Sequence, residues 1–240
     1  MSSVARASTT TAPADHLRIV YELFLKITED VRPDESRPTC DSDLTATWNL
    51  YSVPLSYFIT FIKQLAPFPC LTIDDKVIVL KNNSRVLMPM LTYLFERLFS
   101  IPVPVAHVAD AADLNTTIAS SHSLFAHVIA DDTQLLLLII IVFLFCPCLL
   151  THESLNDIGC ASQHAQELIA DAYEQYAHLL WAYLLDRCQA DEKQAAFAYM
   201  KLISTMLRLQ HLTSTIYDQL PSYIDADRLH MMIQSVLHLT

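Results

Sequence analysis

Glycine occurs once in this 240-residue chain, at Gly159. Ordinary usage would place about seventeen in a chain of this length. The shortfall removes whole classes of structure. Glycine-rich phosphate loops, dinucleotide-binding fingerprints and two-residue type I′ hairpins need positions where no Cβ is tolerated. A serine nucleophile elbow is excluded for the same reason, because its sharp turn needs flanking glycines. The chain is long enough for one large domain or two small ones with a sizeable core. Its formal net charge of −11, from 15 Lys+Arg against 26 Asp+Glu, argues against its gripping a nucleic-acid backbone by itself. Six cysteines without regular spacing, and no apolar signal core in Met1 to Pro13, imply a reducing compartment and free thiols. Ser2 stands where myristoylation needs glycine.

Residues 1–13, rich in Ser, Thr and Ala, read as a disordered lead, and 14–240 as one folded domain. Leu17, Val20, Tyr21, Phe24 and Ile27 recur at helical spacing between Asp15 and Asp30. Arg32 to Asp43 reads as a loop, and Asp43 to Leu65 as a helix bent at Pro54. Pro67, Pro69 and Cys70 make a turn. Thr72, followed by Asp74 and Asp75, suggests the N-cap of a helix that runs to Phe99 with Pro89 inside it. Ile101 to Val108, where prolines alternate with β-branched residues, is the one plausible strand region. Helices are expected near Ala119 to Ala130, from Ser162 to Cys188, from Asp191 to Leu220 and from Asp225 to His238. The pattern predicts an all-α domain with one small hairpin at most.

Leu135 to Leu150 carries no polar or charged side chain. A membrane-spanning helix needs about twenty residues and Lys or Arg at its flanks. This run is sixteen long, is flanked by Asp131, Asp132, His152 and Glu153, and is interrupted by Pro147. A helix enclosed by others at the centre of a layered domain fits better than a membrane span. Catalytic patterns are missing. The ten histidines are scattered, and Cys146, Cys148, His152 and Cys160 do not have the spacing of a structural zinc site. Asp74/Asp75 and Asp131/Asp132 sit at helix starts, where the helix dipole accounts for them. No enzyme and no cofactor are expected.

Phe61 to Lys81 reads FIKQLAPFPCLTIDDKVIVLK. Phe61-Ile62-Lys63, a four-residue gap, then Phe68, Leu71, Asp75-Lys76 and Val79-Leu80 resemble the signature of the nuclear receptor ligand-binding domain. Lys76 stands where that family usually has Gln, and Val79 where it usually has Leu. Three further stretches agree in order. Asp132-Thr133-Gln134 leading to Leu144-Phe145-x-Pro147 is similar to the family's eighth helix. Phe197-Ala198 through Leu207-Arg208 is similar to its long penultimate helix, and Asp225 to Leu237 to its final activation helix. The resemblance covers about Asp15 to the C-terminus. It implies a three-layer antiparallel helical sandwich of about ten to twelve helices with one small β-hairpin. The eight zinc-binding cysteines of the family's DNA-binding module are not in this sequence.

The resemblance implies regulation of transcription in the nucleus, through a small apolar ligand beneath the final helix and a Leu-x-x-Leu-Leu helix from a coregulator. Ile59, Lys63, Lys76, Val77, Leu80 and Lys81 match the groove for that partner helix, with Lys63 facing its C-terminal carbonyls. Met231-Met232-Ile233-Gln234-Ser235-Val236 puts Gln234 where the family has the opposing glutamate. A charge-assisted hydrogen bond is about twice as strong as a neutral one, so a weakened activation helix is expected. Thr47, Leu50, Tyr51, Ser84, Met88, Thr92, Phe95, Ser214 and Tyr217 match positions that face the ligand, although core packing explains each equally well. Phe95 aligns with an arginine that binds a ligand carboxylate in several members, and Arg97 lies nearby. Met200, Leu207 and Arg208 match the surface for homo- or heterodimerisation with a nuclear receptor. Two alternatives stand beside this reading: an orphan interaction module with a filled pocket, and a helical membrane protein.

Overall fold

The computed structural model describes residues 13–29, 45, 48–49, 51–99, 116–117, 119–120, 123–124, 129, 132–146 and 162–237. All regular structure among these residues is helical. The main helices are α1 (Pro13–Ile27), α2 (Ser52–Ile62), α3 (Ile73–Phe99), α4 (Thr133–Leu144), α5 (Gln163–Arg187), α6 (Glu192–Gln219) and α7 (Met231–Leu237). The expected strand region Ile101 to Val108, the loop Arg32 to Asp43, most of Ala119 to Ala130 and residues 147–161 lie outside the described residues.

Helix α4 organises the rest. Every residue from Leu135 to Phe145 is buried, because α1, α3 and α5 all pack against it. A helix apolar on all faces needs such an enclosure. Among the described residues no helix is long and apolar enough to cross a membrane.

Polar groups hold α4 at both ends. Asp132 Oδ1 accepts from the Leu135 amide at 2.9 Å, which satisfies a first-turn donor. The same carboxylate accepts from Tyr183 Oη at 3.0 and 2.9 Å and pairs with Arg187. Burial, with the Asp132 hydrogen bond adding to it, pushes the Tyr183 phenol well above its ordinary range and keeps its proton available to donate. The hydroxyls of Tyr21 and Thr133 meet at 2.6 Å. At the other end Asn83 Nδ2 donates to the Leu144 carbonyl at 3.0 Å and to the Val79 carbonyl at 3.1 Å. Tyr176 stacks on Phe145 at 5.8 Å, and burial pushes its phenol up to about 12.

Three expected features are corrected. Thr45, Trp48 and Asn49 are helical, Tyr51 is a turn, and Pro54 lies in the first turn of α2, where its missing N–H has no helical acceptor to lose, so the interruption expected at Pro54 falls at Tyr51. Pro89, by contrast, sits inside α3, which runs on past it without interruption. The stretch from Asp225 to His238 is not one helix. Asp225 caps a 3-10 turn over Ala226–Arg228, Leu229 is extended, and α7 begins only at Met231. At the N-terminus, Pro13 belongs to α1 rather than to the lead.

The link between α5 and α6 shows what scarce glycine costs. Gln189 and Ala190 have φ of 55° and 64°, a region that ordinarily favours glycine. They are held there because Gln189 N donates to Asp186 O at 3.0 Å and Ala190 N to Leu185 O at 2.9 Å, which closes α5. Asp191 Oδ1 then accepts from Lys193 N and Gln194 N and opens α6. Left-handed φ costs a non-glycine residue on the order of 1–2 kcal/mol, while a glycine has more unfolded freedom to lose. Ala190→Gly is therefore expected to stabilise the protein by about 0.5–1 kcal/mol, read as a higher urea midpoint.

Candidate functional site

The segment that joins α2 to α3 is anchored from within. Leu65, Phe68 and Leu71 are buried, and Phe68 N donates to Leu65 O at 2.8 Å and Cys70 N to Pro67 O at 2.8 Å. Thr72 caps α3: the Asp75 amide donates to its Oγ1 at 3.2 Å, and its hydroxyl donates to Asp75 Oδ2 at 2.6 Å. The Asp75 carboxylate also accepts from Ser162 N at 2.9 Å and Ser162 Oγ at 3.1 Å, tying the start of α3 to the start of α5. The Thr72 hydroxyl first, then the Ser162 amide, hold the Asp75 carboxyl below its ordinary value, against the opposing effect of burial.

Helix α3 therefore has two sharply different faces near its start. Asp75, Val79 and Asn83 point inward and are buried. On the other face Ile73 is 78% exposed and Val77 is 45% exposed, with Leu80 half-buried below them. Residues at this spacing share one side of a helix. Leu80 and, from α2, Ile59 are half-buried and pack against the core. Lys63, at the C-cap of α2, is exposed at the end of that helix. Helices α2 and α7 both pack on α3. The start of α3 thus presents an apolar strip, with Ile73 and Val77 exposed and Leu80 half-buried.

The predicted groove residues divide in character. Ile59, Val77 and Leu80 supply apolar surface, and Lys63 is exposed. Lys76 bends back instead, with Nζ donating to Pro69 O at 3.3 Å and lying 5.9 Å above the Phe68 ring. Lys81 is half-buried. Gln234 turns toward its own linker, with Nε2 donating to Ala226 O at 2.6 Å and Leu229 O at 3.1 Å. Ile73 and the exposed Met231 were not singled out in the sequence. For Ile73, its position four residues before Val77 was the available signal.

No protein-family model and no curated protein matches this sequence.

The predicted ligand positions lie in packed surroundings. Ser84 Oγ donates to Lys81 O at 3.0 Å and Thr92 Oγ1 to Met88 O at 2.6 Å, so both hydroxyls serve their own helix. Met88 is buried. Phe95 belongs to an aromatic cluster, 6.0 Å from Phe24, 5.2 Å from Phe99 and 6.3 Å from Tyr57 between ring centroids. Tyr51 and Tyr217 belong to another, at 5.0 and 5.8 Å from Trp48. Arg97 Nη2 donates to Tyr93 Oη at 2.8 Å on its own helix. Ser214 is half-buried, and Thr47 and Leu50 lie outside the described residues.

The predicted dimer positions face solvent. Met200 is 65% exposed, Leu207 is 60% exposed and Arg208 is exposed. Phe197, at 75% exposure, shares their side of α6 and was not named for this role by the sequence. A cleft of about 610 Å³ beside Phe197 is lined by residues that include Leu135, Arg187, Cys188 and Lys201. A second of about 650 Å³ lies beside Leu207, Arg208 and His211.

Proposed function

We propose that this chain is a nuclear receptor-type ligand-binding domain that regulates transcription in the nucleus by docking a coregulator helix, with no catalytic step. In this reading the helices form a three-layer antiparallel sandwich of about ten to twelve helices with one small β-hairpin. The observation that carries it is the apolar strip of Ile73, Val77 and Leu80 on α3, with Ile59 and the exposed Lys63 supplied by α2, which packs on α3. An amphipathic Leu-x-x-Leu-Leu helix needs such a strip for its leucines and a cation for its C-terminal carbonyls. The outer side of α6, with Met200, Leu207 and Arg208 and with Phe197 added, is the proposed surface for a homo- or heterodimer with a nuclear receptor.

A second reading, an interaction module whose interior is filled by its own side chains, is favoured by the two aromatic clusters and by the Ser84 and Thr92 hydroxyls. Both readings share the strip. A fluorescent Leu-x-x-Leu-Leu peptide titrated against the chain is expected to bind saturably, and Val77→Arg to weaken it by about tenfold or more by placing a charge in the strip. Equal binding of a scrambled peptide, or wild-type affinity in Val77→Arg, removes the strip from consideration.

A further inference from the structure

Between α6 and α7 the backbone passes through the 3-10 turns Leu220–Ser222 and Ala226–Arg228. Two carboxamides fasten it from opposite sides. Asn49 Nδ2 donates to the Arg228 carbonyl at 3.0 Å, and Asn49 Oδ1 accepts from the His230 amide at 2.6 Å. Gln234 Nε2 donates to the Ala226 carbonyl at 2.6 Å and the Leu229 carbonyl at 3.1 Å. Thr45 Oγ1 accepts from the Asp225 amide at 3.0 Å. Leu229 and Ile233 are buried beneath them, and α7 packs on α3.

We propose that Asn49 and Gln234 are positioning residues, forming a latch that seats α7 against α3 through the chain's own groups, so that the docking surface proposed above, the cleft between α7 and the strip on α3, assembles without a small molecule to hold it. The consequence for the cleft rests on the proposed function; the latch itself does not. The chemistry requires amides at both places. Asn49 serves one donor and one acceptor of an extended backbone, which only a group with both can do. Gln234 must give two protons to two carbonyl oxygens, and a carboxylate there would give none and face both oxygens with negative charge. The glutamine that stands where the resemblance expects glutamate is thus what this linker needs.

Hydrogen exchange on the delipidated full chain tests the latch. The amides of residues 229–236 are expected to be protected in the wild type with nothing added. Gln234→Glu and Asn49→Ala are expected to speed their exchange by about tenfold or more, the effect of losing one or two such bonds, while α4 amides keep their rates. Asn49→Asp, which keeps the acceptor for His230, is expected to fall between. Trypsin cleavage at the exposed Arg228 should accelerate in parallel. Unprotected wild-type amides, unchanged exchange in the variants, or equal acceleration throughout α4 would each overturn the proposal. Loss of peptide binding with protection intact would remove the cleft reading and leave the latch standing.

Discussion

Phe24→Ala is expected to destabilise the protein by about 3–5 kcal/mol, a large share of the 5–15 kcal/mol typical of a folded domain. Phe24 has no exposed surface, and its ring meets Phe61 edge-on at 5.1 Å and Phe95 at 6.0 Å. Those three rings come from α1, α2 and α3. Truncation would remove the transfer energy of the ring and leave a cavity at the meeting point of three helices, which rigid neighbours can only partly close. Edge-to-face pairs add about 0.5–1.5 kcal/mol beyond the area they bury. Phe24→Leu, which keeps most of the volume, should lose markedly less. Urea unfolding of the two variants checks this: equal and small losses would mean that α1 is not held by this cluster.

Asp75→Ala is expected to cost about 2–3 kcal/mol at pH 7: a hydrogen bond to a charged group is worth about 1.5–3 kcal/mol, and the losses do not add in full because the exposed Thr72 and Ser162 donors can turn to water. The Thr72 hydroxyl and both Ser162 donors would lose their acceptor, freeing the starts of α3 and α5 from one another. The pH dependence follows from the direction of the shift. The folded carboxyl lies below its ordinary value, so the unfolded chain takes up the proton first on acidification. The stabilisation is complete above about pH 4 and declines as pH falls through the folded value. The gap in stability between wild type and Asp75→Ala should therefore be widest near neutrality and shrink below about pH 4. A gap that stays constant from pH 7 into that acid range would show that the carboxylate charge contributes nothing.

Much of the helix map was legible in the sequence because the signals that start and stop helices act over a few residues. Ser162 and Asp191 accept from amides two or three positions ahead, and the helices begin beside them as their spacing predicts. The sixteen-residue apolar run likewise implied an enclosed helix before any neighbour was known, although α4 as described ends at Leu144. The interruption expected at Pro54 falls at Tyr51 instead, because a proline in the first turn of a helix has no hydrogen bond to lose and the position of that turn is not visible in the local sequence. The exposure of Ile73, Met231 and Phe197 is not legible for a related reason: an apolar residue at helical spacing reads as core, and only packing decides which face is covered. The polar tip of Gln234 is legible in the sequence, whereas its partners, Ala226 and Leu229, are set by a linker that the sequence pattern predicts to be helical.

The residues alone determined that this chain builds helices, where most of them start, and that one of them is greasy enough to require burial on all sides. Tertiary structure decided the rest. It joined Asp75 to Ser162 across 87 positions, Asn49 to His230 across 181, and Tyr183 to Asp132 across 51. Capping and periodicity are settled by neighbours three or four residues away. Which carboxylate or amide meets which distant backbone group depends on how whole helices pack, and that follows from the sum of all buried surfaces rather than from any local stretch.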